Sequence, residues 1–285
     1  MKVKVITDSA NDLPKKIIDF YNIQYASLTV TFDDEVTFND GKDLSRDEFY
    51  FRLIEAKQLP KTSQPSPQAF YELMEEALAQ DLEVVVITLS SALSGTYNSA
   101  LMAKNMFPEE KQQKIHIIDS LAASMGQGLL VLAAAKMAQD DMSGDEITKN
   151  IYTLRSKLRC IFTVDTFEYL LRGGRITKVQ AVLGTMLDIK PLMKVTPEGT
   201  LAVFEKVRGK KKAFTRLMDV MAEMGKDLSS QTVGIVHTRA PEEANTWAQK
   251  IRELYNVKDI IIAEMSATIG THTGPGCIGI FFYGE

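Results

Sequence analysis

Glu83-Val84-Val85-Val86-Ile87-Thr88-Leu89 runs directly into Ser90-Ser91-Ala92-Leu93-Ser94-Gly95-Thr96-Tyr97-Asn98-Ser99-Ala100, and the order of these two pieces decides the fold. The first is a nearly continuous β-branched run, the pattern of a central strand buried on both faces of a sheet. The second opens with hydroxyl residues and a glycine and passes into a helix-compatible stretch. A buried strand that ends in such a loop and continues as a helix is one unit of an α/β sheet. Ligands bind at the carboxyl edge of the strands in such sheets, and a helix N-terminus at that edge favours an anion. The same Ser and Thr residues also serve as ordinary helix caps, so this segment alone leaves both uses open.

Outward from this unit, strand and helix patterns alternate. An apolar strand is expected at residues 3–7, a helix from Pro14, and an extended run over 24–32. Ser45-Arg46-Asp47-Glu48 has capping-box spacing, which predicts a helix through residue 55. Residues 59–67 carry three prolines and are expected to form a loop, with Ser66-Pro67 as N-cap and first position of the next helix. Beyond the central unit come a strand at 114–118, an apolar helix over 122–138, and a helix opened by Ser143-Gly144-Asp145-Glu146. In the second half, strand-like 187–196 and 201–208 flank Pro197-Glu198-Gly199, an antiparallel hairpin. Helices over 210–228 and 241–255 then alternate with strands at 232–237, 259–263 and 278–283. The expected fold is α/β with two lobes and a ligand between them, since 285 residues exceed the usual size of one core. Residues 1–158 would form a mostly parallel sheet with helices on both faces, and 159–285 a mixed sheet covered by helices.

Composition excludes several functions. With 45% hydrophobic and 25% charged residues the chain is an ordinary globular sequence, and a net charge of -4 gives no basis for nucleic-acid binding. Cys160 and Cys277 are too few and too far apart for a disulfide framework or a zinc site, so a reducing, cytoplasmic setting is expected. The first residues alternate like a strand and lack the apolar core of a secretory signal. The longest apolar stretch, 128–135, falls far short of the ~20 residues that span a bilayer, so no transmembrane segment is expected. No phosphate-loop, dinucleotide or zinc-helix motif is present, so no nucleotide or metal cofactor is expected. Ser94 is not set in a Gly-x-Ser-x-Gly elbow.

Two further segments carry polar chemistry. Thr62-Ser63-Gln64-Pro65-Ser66-Pro67 is hydroxyl-rich and opens a helix, which ordinary turn chemistry also explains. Ile269-Gly270-Thr271-His272-Thr273-Gly274-Pro275-Gly276 reads as a glycine-rich loop that holds a histidine between two threonines just before the last strand, where the ring can donate to a ligand. His116, inside a strand, and His237, at a strand end, read as structural. Leu171-Arg172-Gly173-Gly174-Arg175-Ile176 reads as a helix end with a glycine stop. Arg208-Gly209-Lys210-Lys211-Lys212 opens a helix with positive charge that opposes the helix dipole, which suits either partner docking or a solvated face.

Ile6-Thr7-Asp8-Ser9, Thr62-Ser63-Gln64-Pro65-Ser66, Ser91-Ala92-Leu93-Ser94-Gly95-Thr96-Tyr97, Arg172-Gly173-Gly174-Arg175-Ile176 and His272-Thr273-Gly274-Pro275-Gly276, in this order over the whole chain, closely resemble the DegV family. The resemblance implies a bacterial, non-catalytic carrier of one long-chain fatty acid, some members presenting it to a separate fatty acid kinase that makes acyl phosphate for phospholipid synthesis. It implies that Thr62, Ser94 with the backbone of Gly95, and His272 hold the carboxylate. Asp8, Ser9, Ser63, Thr96 and Thr271 would stand behind them, and Arg172 and Arg208 would face the kinase. Neutral donors would then hold the carboxylate with no permanent cation buried beside it. A serine hydrolase with Ser94 as nucleophile and His272 as base is the rival from the enzyme class. A regulatory module that senses an acidic metabolite is a third reading.

Overall fold

In the computed structural model, which describes residues 2–33, 35–56, 58–177 and 188–285, the central run is a strand paired on both sides. The chain begins with β1 (Val3–Asp8), α1 (Lys15–Phe20), β2 (Gln24–Ala26), β3 (Thr29–Phe32), β4 (Val36–Asn39), α2 (Arg46–Glu55), β5 (Lys61–Ser63) and α3 (Pro67–Ala79). Next come β6 (Glu83–Thr88), α4 (Thr96–Asn105), α5 (Glu109–Gln112), β7 (Ile115–Asp119), α6 (Met125–Gln139) and α7 (Gly144–Lys157). It continues with β8 (Leu158–Thr163), α8 (Glu168–Arg172), β9 (Ile189–Val195), β10 (Leu201–Arg208) and α9 (Lys210–Met224). It ends with β11 (Thr232–His237), α10 (Pro241–Tyr255), β12 (Asp259–Glu264), α11 (Ala267–Thr273) and β13 (Ile278–Tyr283).

Strands β2-β1-β6-β7 form a wholly parallel sheet. Val85 and Ile87 pack in the core of α6, whereas Val84 and Val86 join the core of α3 and α4, so both faces of β6 are buried. This is why its sequence is continuously apolar rather than alternating. The second sheet, β10-β9-β8-β13-β11-β12, is mixed, with only β11 and β12 parallel. Helices α9 and α10 cover one face through Leu217, Met221, Trp247 and Ile251. On the other face lies α6, whose core includes Cys160, Phe162, Val236 and Phe281 of this sheet. α6 lies between the two sheets, and its mostly apolar sequence follows from burial of residues 125–132 and of Ala134, Ala135 and Ala138, with Lys136 and Gln139 exposed toward its end. A small sheet, β4-β3-β5, packs with α2 and α11.

The expected hairpin at Pro197-Glu198-Gly199 is the β9–β10 connection, and Ser143 and Glu146 form the full reciprocal capping box at α7. Residue 187, expected to start the strand, lies outside the described residues. Four local expectations are corrected. The run 24–32 is two strands in different sheets, because β2 pairs parallel with β1, whereas β3 turns away after Leu28, whose amide donates to Ser9 Oγ at 3.0 Å. The proline-rich stretch is not all loop: Lys61-Thr62-Ser63, free of proline, pairs with β3. Ser45 accepts from Glu48 N at 3.2 Å, but the Glu48 carboxylate is taken by Arg52 at 2.7 Å. Finally, His272 sits in the last turn of a helix, α11, not in a loop.

Candidate functional site

α11 is a helix despite its glycine because its neighbours fix it. Ser266 caps it, and two buried carboxylates from the first half of the chain meet its first turn. Asp12 Oδ1 accepts from Ser266 N at 2.7 Å, and Asp40 accepts from Ala267 N at 3.2 Å and Thr268 N at 2.9 Å. Gly270 lets the helix lie against α2: a Cβ there would stand 2.6 Å from the Tyr50 hydroxyl and 2.7 Å from the Phe49 ring. The Tyr50 hydroxyl also donates to Met265 O at 3.1 Å. Burial raises Asp8 and Asp12 to about 6, and raises Asp40 as well.

This packing sets His272 against β5, with Nε2 2.9 Å from Thr62 Oγ1. Gly173, at the end of α8, closes over the ring edge, where a Cβ would come within 2.2 Å of Nδ1. His272 Nδ1 has no hydrogen-bond partner among the described residues. Burial, and secondarily the Arg175 charge, push the imidazole down to about 4, so the ring is neutral at physiological pH.

Thr62, Ser94 and His272 line one cavity of about 720 Å³, mouth included. The rest of the lining is mostly apolar, from Leu28, Leu89 and Leu93 of the first half to Phe162, Val195, Leu201 and Phe281 of the second. Ser94 Oγ lies 2.8 Å from Thr96 Oγ1, and Gly95 is the N-cap of α4, packed against the Gln64 side chain. The remaining residues singled out in the sequence are tied into the frame. Asp8 accepts from Leu89 N at 2.7 Å and from Ala10 N at 3.0 Å, while Ser9 holds Leu28. Ser63 is exposed on β5, and Thr271 Oγ1 donates to Ala267 O of its own helix at 2.8 Å. Arg172 is exposed and ion-paired with Glu168 at 2.7 Å, and Arg208 is exposed at the end of β10.

Two features escape sequence reasoning. Arg175 lines the cavity, its Nε donating to Leu93 O at 3.1 Å and its Nη1 to Gly173 O at 2.6 Å. The site thus includes a half-buried permanent cation, contrary to the expectation of neutral donors alone. Ser124 also lines the cavity and donates to Asp12 Oδ2 at 2.5 Å. Nothing local in the sequence marks either residue as cavity-facing. Among the described residues a Ser–His hydrolase pair is not formed: His272 Nε2 meets Thr62, Ser94 meets Thr96, and no orienting partner stands at Nδ1.

The family model described as an uncharacterised protein of the DegV family matches residues 2–285. The chain belongs to the DegV family. Among DegV relatives, the DegV domain-containing protein CPE0026 of Clostridium perfringens is 40% identical over 286 residues, covering 100% of this chain and 98% of that one. A DegV family protein from Thermus thermophilus, whose structure is described as showing fatty acid binding, superposes with a TM-score of 0.91 at 29% identity, covering 100% of both chains. The Fak (fatty acid kinase) B3 protein of Streptococcus pneumoniae, solved loaded with linoleic acid, does so with a TM-score of 0.88 at 25% identity, again covering 100% of both. No helix among the described residues is long and apolar enough to cross a membrane.

Proposed function

We propose that this DegV protein binds one long-chain fatty acid in the cavity between an N-terminal lobe, residues 1–158, and a C-terminal lobe, residues 159–285. Thr62, Ser94, the Gly95 amide and His272 hold the carboxylate. The observation that carries this reading is a mostly apolar cavity whose polar lining gathers hydroxyls, an imidazole and Arg175 from distant stretches of chain. The neutral imidazole donates through Nε2 to the carboxylate or to Thr62, and Arg175 supplies positive potential with no ion pair of its own among the described residues. The tail supplies the affinity: about 0.8 kcal/mol per buried methylene amounts to about 12 kcal/mol for a ~16-carbon chain before ordering costs. The head group is oriented rather than gripped, which leaves a carboxylate oxygen free to act as nucleophile. The protein itself is a carrier, not an enzyme, working in the cytoplasm.

The acid is presented to a separate fatty acid kinase, with Arg172 and Arg208 on the docking face. The Fak B3 likeness supports this partnership. Mass spectrometry of lipid extracted from the purified protein tests the binding, with one long-chain acid per protein expected. Acyl phosphate formation by Ser94→Ala and His272→Ala proteins with a kinase tests the head-group assignment. Absence of any acid from the wild type, or normal turnover by both variants, overturns the corresponding part.

A further inference from the structure

A second space adjoins the cavity, a groove of about 1100 Å³, mouth included, with Val195 lining both. β8 contributes Phe162 to the cavity and Cys160, two residues back on the same strand, to the groove. β8 runs from Leu158 toward α8, whose end closes over His272, so the groove lies on the side away from the polar cluster.

The chain has a net charge of -4, yet this groove is lined by Arg155, Arg159 and Lys194 and, among the described residues, by no acidic side chain. Both guanidiniums are held by main-chain oxygens. Arg155 Nη1 donates to Asp119 O at 2.7 Å, and its guanidinium lies 4.7 Å from the centre of the Tyr152 ring. Arg159 Nη1 donates to Ser156 O at 3.0 Å and Leu158 O at 3.1 Å, and Nη2 to the main-chain oxygen of Glu285 at 2.8 Å. The peptide carbonyls of Asp119, Ser156 and Leu158 fix orientation and carry no net charge of their own. Among the described residues no side-chain carboxylate lies within ion-pair distance of any of the three cations. The carboxylate of Asp119 is engaged by the Ser91 and Leu121 amides. Leu121, Pro197 and Met224 supply apolar wall beside this charge.

We propose that the groove is a second ligand site, for an amphiphile that carries a phosphate group. Two guanidiniums held in place and an ammonium match the charge of a phosphate better than that of a single carboxylate. The apolar wall takes the first methylenes attached to it. A soluble alkyl phosphomonoester and a phospholipid headgroup share this chemistry. The site does not depend on the fatty-acid reading, since it shares only Val195 with the other cavity.

The test is calorimetric titration of the purified protein with octyl phosphate, inorganic phosphate and octanol, with copurifying lipid measured in parallel. Flotation with vesicles of phosphatidic acid in phosphatidylcholine accompanies it. The variants are Arg159→Gln/Lys194→Gln and, as a single charge reversal, Lys194→Glu, each checked for an unchanged melting temperature. Octyl phosphate is expected to bind at least about tenfold more tightly than either fragment and to lose about tenfold or more in both variants, with the copurifying lipid retained. Flotation that the variants lose identifies the phospholipid as the source, and titration without flotation identifies the soluble phosphomonoester. Octyl phosphate that fails to bind, binds the variants equally, or displaces the copurifying lipid overturns the proposal.

Discussion

The polar and apolar linings of the cavity are built in opposite ways. Thr62, Ser94, Arg175 and His272 come from four separated stretches, and each owes its position to packing elsewhere: β5 on β3, the turn before α4, the end of α8, and α11 braced by Asp12 and Asp40. Phe162, Val195, Leu201 and Phe281 come from neighbouring strands or strand ends of one sheet, set by its ladder. The apolar wall is collective and tolerant in its details, whereas the polar lining is an alignment of single atoms. Affinity should therefore follow the wall, and turnover with a kinase the alignment.

That contrast is open to direct attack. The largest effect is expected from Leu201→Trp, which fills the cavity from its apolar side: copurified acid should fall to near zero in extracts, with the polar residues untouched. Full loading of this variant would mean that the tail lies elsewhere. Gly270→Ala should cost about 1–3 kcal/mol in a urea melt, because the new methyl meets the Tyr50 hydroxyl and the Phe49 ring, and it should also weaken head-group binding by tilting α11. Thr62→Val keeps the shape and removes the hydroxyl at 2.9 Å from His272; a fatty-acid affinity loss of about five- to tenfold is expected, with a larger loss of acyl phosphate formation. Equal losses in both would erase the distinction between wall and alignment.

The smallest effect is a pH slope. The folded imidazole of His272 titrates near 4, below its ordinary 6.5, so its contribution to stability is complete above pH 6.5 and is lost as pH falls toward 4. Asp8 and Asp12 act with the opposite sign: raised from 3.8 to about 6, they contribute fully below pH 3.8 and lose that contribution as pH rises through 6. Denaturant melts of wild type and His272→Gln across pH 4–7 isolate the imidazole. The wild-type advantage over the variant should shrink toward acid, and a flat difference would show that the ring is not desolvated.

The sheet frame was legible because its signals are local. A β-branched run buried on both faces, a reciprocal cap at Ser143 and a Pro-Glu-Gly turn each carry their meaning within a few residues. The site was legible in part, since Thr62, Ser94 and His272 stand out as polar residues in helix-opening or glycine-rich segments. What escaped was set by tertiary contact. Lys61-Thr62-Ser63 becomes a strand only because β3 offers an edge, and α11 is a helix because Asp40, Ser266 and Tyr50 hold a glycine-bearing segment in place. The Ser266 cap was the available sign, hidden beside the stronger signal of Gly270 and Gly274. Arg175 was visible in sequence as a charge after two glycines, but its direction depends on the Leu93 carbonyl 82 residues away.

The helix α6, enclosed by both sheets, has a mechanical consequence. Swinging the lobes apart like a book would strip the cover from Leu130, Val131 and Ala134, all fully buried, and forfeit the common core. A guest must then reach the interior through small displacements of the peripheral segments around a fixed spine. Amide protons of α6 should accordingly exchange only when the entire chain unfolds, with or without lipid aboard.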